Sequence, residues 1–228
     1  SVVWEGKGSS ERRRRTLKEY KEGRKFRGLN RQFQYSQEDE KESFARQLQL
    51  LKGCLDTLPL YQPAVQYLEA DDQIAYSCRQ LFSKDYEKVI VSTDRDYFQL
   101  VDENTKVYRP VKTKENPKGE MINIGWMLDK EKVYPVNYAL LKAIVGDKSD
   151  NINGISGVGE ATVKKDFPIL NFGIVTLEML LEYAEDRVGE RKAKYKKYVE
   201  SSGLIERNYK LVQLLDIDVS LQSIQALE

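Results

Sequence analysis

Three compact groups of carboxylates stand out in this chain: Glu69-Ala70-Asp71-Asp72, Asp94-Arg95-Asp96 and Asp147-Lys148-Ser149-Asp150. The sequence holds no histidine, and its two cysteines, Cys54 and Cys78, form no CxxC pair. Zinc sites built from Cys and His are therefore excluded, as are Ser-His-Asp and Cys-His catalysis. Hydrolytic chemistry here must run on carboxylates, Lys, Tyr or a bound metal. Carboxylates gathered in one place repel one another unless a cation neutralises them. Mg²⁺ prefers oxygen ligands and keeps several waters, so it needs few direct protein ligands. Two such ions about 3.5–4 Å apart can activate a water and stabilise the leaving oxygen of a phosphodiester. Each group also has a plainer reading, as a helix cap or a surface turn. It is the three together that point to a metal.

A second feature is Gly154-Ile155-Ser156-Gly157-Val158-Gly159, followed by a helix-compatible stretch with Lys164 and Lys165. No strand precedes these glycines, so a dinucleotide fold does not fit. A tight hairpin between two helices does. There Gly154, Gly157 and Gly159 let backbone N–H groups approach a phosphate, a grip that reads no sequence. The plainer alternative is a glycine-rich linker. A third feature is a basic head: Ser1 to Tyr35 carries eleven Lys or Arg against four Glu, although the whole chain is only +1. Such a head suits a polyanion, or is a solvated helix face.

The elements that must position these residues follow from patterning. Ser1–Trp4 reads as the end of a buried strand. Glu11 to about Arg27 is helix-compatible, and Glu38–Leu58 is amphipathic, with Phe44, Leu48, Leu51 and Leu55 on one face. Ala70–Phe82 reads as a helix. Glu87–Ser92 is a short β-branched run of the kind found in buried parallel strands. Asp94 and Asp96 then sit at a strand end, where ligands bind in open α/β sheets. A short helix over Asp96–Val101, a strand over Thr105–Tyr108 and a loop over Lys112–Gly119 follow. Helices are expected at Ile124–Lys132, Val136–Val145, Ala161–Phe167, Leu177–Glu185, Arg191–Ser201 and Leu204–Leu215. The fold class is thus α/β with a parallel sheet and a nearly all-helical last third. No apolar run approaches the roughly 18 residues of a membrane span. The cysteines fit reduced thiols and an intracellular setting.

Taken together these segments resemble the bacterial and bacteriophage 5′-nuclease (5′-3′ exonuclease and flap endonuclease) family. Tyr67–Asp72 resembles its acidic helix motif. Ser92–Leu100 (STDRDYFQL) resembles its strand-end motif, and Gly146–Ile152 running into Gly154–Gly159 resembles its third acidic motif and helix-hairpin-helix. Tyr20-Lys21-Glu22-Gly23-Arg24 resembles the Tyr-Lys-x-x-Arg at the base of the family's helical arch. The resemblance runs from about Val2 to Lys165. It implies a PIN-like core with an arch region over about residues 11–40, in a part spanning 1–145, and a helix-hairpin-helix and helical part over 146–228. It implies metal-site carboxylates at Glu5, Glu69, Asp71, Asp72, Asp94, Asp96, Asp147 and Asp150. Lys21 and Arg24 become catalytic together with Asp94. Arg12 or Arg13, Tyr20, Lys21, Arg24, the hairpin glycines, Lys164 and Lys165 become DNA contacts, with Tyr20 and Phe26 either stacking on a base or simply packing. Expected cofactors are two Mg²⁺ ions, with Mn²⁺ as a substitute, and K⁺ at the hairpin.

The resemblance further implies a structure-selective nuclease for branched or 5′-ended DNA, with an RNA/DNA hybrid as a further substrate. It would leave 5′-phosphates and 3′-hydroxyls, act beside a polymerase or replication partner, and work in bacterial or phage-infected cytoplasm. Two departures are expected to matter. The family's first strand, which carries an aspartate, precedes the point where this sequence starts, so an upstream segment, a partner or a rearranged sheet would be needed. Glu5 stands where the family usually has Asp. A DNA-junction-binding module impaired in cleavage and a related metal-dependent RNase are the alternative readings.

Overall fold

The computed structural model describes residues 1–23, 37–82, 85–111, 117–189, 193–217 and 219–227. In chain order the elements are α1 (Glu11–Thr16), α2 (Gln37–Asp56), α3 (Ala70–Tyr76) running on as a π-helical turn (Ser77–Leu81), β1 (Lys88–Val91), a 3-10 helix (Arg95–Leu100), β2 (Thr105–Arg109) and β3 (Glu120–Ile122). Then come α4 (Ile124–Trp126) with a second π-helical turn (Met127–Glu131), a 3-10 turn (Pro135–Asn137) leading into α5 (Tyr138–Val145), and the two-residue strands β4 (Gly146–Asp147) and β5 (Ile152–Asn153). The chain finishes with α6 (Glu160–Asp166), a 3-10 turn (Pro168–Asn171), α7 (Leu177–Gly189), a 3-10 turn (Ala193–Tyr195), α8 (Lys196–Glu200), α9 (Ser202–Val212) and α10 (Leu221–Gln225).

The sheet is mixed, not parallel throughout. β1 and β2 pair in parallel, with Ile90 opposite Val107, but β3 returns antiparallel, with Val107 opposite Ile122. The reason lies in the connections. The stretch between β1 and β2 holds a whole 3-10 helix and serves as a crossover, whereas β3 enters antiparallel beside β2 just after Gly119, which has φ +87. Ile90, Val107 and Ile122 point into the core, while Val89 and Val91 on β1 are exposed. Among the described residues nothing pairs with the outer edge of β1.

Ser1–Trp4 is extended but lies outside this sheet. Val2 and Trp4 donate instead to the Tyr61 and Pro63 carbonyls, both at 2.9 Å. Proline has no N–H to return, so the pairing cannot grow into a regular ladder there. The basic helix is also shorter than the charge pattern suggested. It stops at Thr16, and Lys21 (φ 54) and Gly23 (φ 73) take a left-handed conformation that no α-helix admits. Arg24, Phe26 and the rest of 24–36 lie outside the described residues.

The centre of the core is α5, YALLKAIV, buried along nearly its whole length except at Lys142. It packs against α9 and the 3-10 helix after β1, where Phe98 meets Trp126 edge-on at 5.7 Å and Tyr138 at 5.4 Å. Gln99, fully buried, holds the end of α9 with both ends of its amide, donating to Val212 O and accepting from Leu214 N. One apolar cluster runs from Tyr20 to Leu214, with a small satellite of Val65, Leu68 and Leu227. No helix among the described residues is long and apolar enough to cross a membrane.

Candidate active site

The three acidic groups are brought into one connected cluster, and the connectors are two tyrosines and a lysine. The first group opens α3. Glu69 occupies the N-cap position without capping, since its side chain accepts no bond from the helix N–H groups. It is 1% exposed and turns inward to Tyr20, Lys21 and Arg13. Asp72 is fully buried and receives Arg13 through two bonds of 2.8 Å and Arg12 through a third. Asp71 alone of the three points toward the second group, where the Tyr97 hydroxyl donates to it.

The second group follows β1. Here the capping reading does hold, with one oxygen: Asp94 Oδ1 accepts from Asp96 N at 2.9 Å and starts the 3-10 helix. Asp94 is otherwise exposed to solvent. Asp96 turns toward α5, where the Lys142 ammonium donates to it and also to Asp147 of the third group. Asp147 further accepts from Ser149 N and Oγ, both at 2.7 Å. Asp150 accepts from the Tyr20 hydroxyl at 2.9 Å, and that same hydroxyl lies 3.2 Å from Glu69. Tyr20 thus ties the third group to the first, Tyr97 the first to the second, and Lys142 the second to the third.

Protonation equilibria register this crowding. Burial pushes the Asp71 carboxyl up, the Tyr97 hydrogen bond pulls it down, and the charges of Asp94 and Glu69 raise it again, with a net rise. Burial lifts Asp96 to about 6, and Lys142 offsets only part of that. Asp147 is buried too, but Lys142 and Ser149 outweigh the burial and hold it down to about 2. Tyr97 and Tyr20 are both raised by burial and stay protonated donors. Glu5 is exposed, and its charge is among those felt by Tyr97.

Other candidate residues take different positions from those expected of DNA contacts. Arg13 is 5% exposed and committed to Asp72, Glu69 and the Leu211 carbonyl, so it faces the interior. Tyr20 is 2% exposed and its ring faces no solvent on which a base could stack. Lys21 is partly exposed, its Nζ 2.8 Å from Glu69. Lys164 pairs with Glu131 at 2.9 Å and with Glu160 at 3.5 Å, in a network with Arg95, while Lys165 is exposed. The hairpin glycines divide. A Cβ on Gly154 would lie 2.0 Å from Val145 O, so this glycine permits close backbone packing. A Cβ on Gly157 or Gly159 would meet only open space.

Tyr97 and Lys142 were not singled out from the sequence. Lys142 carried a signal: it is the one charge in an otherwise apolar helix, and a buried ammonium must find partners. Tyr97 carried none, because next to Phe98 it reads as an ordinary core aromatic.

A hard divalent cation suits the donor chemistry. All the donors are carboxylate oxygens, and Glu69 Oε1 is buried with no hydrogen-bond partner. Neither Asp71 nor Asp94 has an ion-pair partner among the described residues. Asp72, saturated by Arg12 and Arg13, fits a structural role better. Among the described residues no group of three or more Asp, Glu or Cys side chains is gathered closely enough to hold a metal ion as it stands.

Residues 1–134 match the family model of the 5′-3′ exonuclease, N-terminal resolvase-like domain, and the chain belongs to this 5′-nuclease family. It is 35% identical over 124 residues to a thermostable DNA polymerase I of Thermus thermophilus, a match covering 54% of this chain and 14% of the polymerase. The chain therefore spans a small part of the curated relatives it matches. Its fold is similar to bacteriophage T5 flap endonuclease in a complex with DNA and metal ions, with TM-score 0.67 and 22% identity over 99% of this chain and 75% of that one. The T5 protein co-crystallized with metal ions gives TM-score 0.66 and 21% identity over 99% and 76%.

Proposed function

We propose that this chain is the nuclease portion of a structure-selective 5′ nuclease that hydrolyses phosphodiesters of branched or 5′-ended DNA. The observation that carries the reading is the joining of carboxylates from three distant segments into one cluster by Tyr20, Tyr97 and Lys142. Glu69, Asp71, Asp94, Asp96, Asp147 and Asp150, with Glu5 reaching in, would hold two Mg²⁺ ions, or Mn²⁺ in their place. When bound, such ions supply an activated water and charge stabilisation at the leaving oxygen.

The chain's own residues do the positioning. Lys21 stands at the rim of the cluster in a left-handed conformation, a strained backbone that aims its ammonium at the carboxylates. It and Arg24 would hold the scissile phosphate against that negative field. Gly157 and Gly159 leave space through which a duplex phosphate can approach the hairpin backbone, with Lys165 free to neutralise it and K⁺ as the expected ion there. Function divides accordingly, with most of the cleavage site in 1–145, completed by Asp147 and Asp150, and the duplex grip in the rest of 146–228. The match to DNA polymerase I supports a polymerase partner.

The second reading, a junction-binding module impaired in cleavage, is favoured by one observation: cations of the chain already occupy several of the carboxylates. The test is a 5′-labelled DNA flap, beside an RNA flap and an RNA/DNA hybrid, incubated with Mg²⁺ or with EDTA. Cleavage near the junction is expected, lost in EDTA and in Asp94→Asn. Binding that weakens steeply with salt, without cleavage, would select the second reading. Cutting of RNA alone would select the RNase.

A further inference from the structure

Lys142 ties two of the acidic groups together, but the nuclease reading gives it no part in how metal ions enter. Apart from it α5 is apolar, and its charged end is mostly buried between Asp96 and Asp147, donating to both. A buried ammonium is costly unless paired, so the two carboxylates and the lysine hold one another. The other side of the cluster differs. Asp71 is bonded to the neutral Tyr97 hydroxyl, Asp94 to a backbone N–H, and the nearby Glu69 Oε1 has no partner. The two sides thus begin from unequal electrostatic states: Asp96 and Asp147 share one ammonium between them, whereas on the other side Lys21 and Arg13 bond Glu69 and leave Asp71 and Asp94 without a bonded cation.

We propose that Lys142 is a tethered cation lodged in the Asp96–Asp147 gap, so that the Asp71–Asp94 side takes up a divalent ion first and the Asp96–Asp147 side does so only by displacing Lys142. Lys142 is then a positioning residue. It keeps carboxylates from the strand-end loop and from the turn after α5 together before any metal arrives, and it sets the metal concentration at which the second ion enters. The inference rests on the metal-binding reading above and refines it.

The measurement is a calorimetric titration of Mn²⁺ into the full, DNA-free, EDTA-treated chain. The wild type should show one tight and one weak binding event. Lys142→Met should tighten the weak event by about tenfold or more, since a full unit charge leaves the site, and should change the tight event little. Lys142→Arg, which keeps the cation, should leave the weak event weak. A readout in the wild type covers the case in which Lys142→Met does not fold. With ¹³C-labelled lysine and diamagnetic Mg²⁺ in place of Mn²⁺, the Lys142 side-chain resonance, assigned by its loss in Lys142→Arg, should move with the second equivalent of Mg²⁺ and not the first. A weak event unchanged in folded Lys142→Met, or a Lys142 resonance that moves with the first ion, overturns the proposal and leaves the metal site standing. Absence of any Mn²⁺ binding by wild type and variants overturns both.

Discussion

Tyr97 shows how one hydroxyl can set the behaviour of a carboxylate. Asp71 is pushed up by burial and by the charges of Asp94 and Glu69, and the Tyr97 hydrogen bond, helped by the charge of Lys21, pulls it part of the way back. Tyr97→Phe removes a donor that favours the ionised form, so the Asp71 carboxyl must rise further. A proton then competes better with a metal for Asp71. The Mg²⁺ concentration for half-maximal flap cleavage should increase by about tenfold, as is common when a partner of a metal ligand is lost. The acid side of the pH–rate profile should also shift to higher pH. An unchanged Mg²⁺ requirement and an unchanged acid limb would mean that Tyr97 only fills space. Tyr97 was the least legible of the site residues, because neighbouring Tyr97 and Phe98 are both core side chains and only the fold sends one hydroxyl toward α3.

Among the elements, the hairpin after α5 separates two uses of glycine that look alike in GxxGxG. Gly154 sits where the backbone of β5 passes the end of α5, and a methyl there would collide with Val145 O at 2.0 Å. Gly159 is the N-cap of α6, in an extended conformation with open space around its Cα. Gly154→Ala should therefore destabilise the chain by about 1–3 kcal/mol or more, the cost of overpacking, whereas Gly159→Ala should stay within about 1 kcal/mol. Urea unfolding of the two variants checks this, and equal effects would refute the distinction. The motif was readable as a hairpin; which glycine packs and which faces outward depends on how close α5 comes.

Arg13 and Asp72 form a buried ion pair. It joins α1 to α3 and, through the Leu211 carbonyl 198 positions along the chain from Arg13, to α9. Burying that ion pair does not guarantee net stability, but breaking it leaves an uncompensated charge. Asp72→Asn should cost about 3–5 kcal/mol in urea unfolding, and Arg13→Met combined with Asp72→Leu should recover much of that loss. Both residues were candidates for the working site, one as a metal ligand and one as a DNA contact, on grounds of charge and motif position. In this structure both are buried and bonded to each other, an arrangement that favours a structural role.

Residue type and order were enough to exclude histidine chemistry, to mark the three acidic groups, and to place Lys88–Val91, Ala70–Tyr76, Tyr138–Val145 and Glu160–Asp166 in elements of the right kind. Those features depend on local preference and on hydrophobic period, which a linear chain displays. The antiparallel return of β3, the left-handed Lys21, the inward Arg13 and the linking of the acidic groups through Tyr20, Tyr97 and Lys142 were not open to that kind of reading. Each depends on which partner lies opposite across the core, and the charge of a carboxylate or the reach of a lysine has no direction until packing supplies that partner.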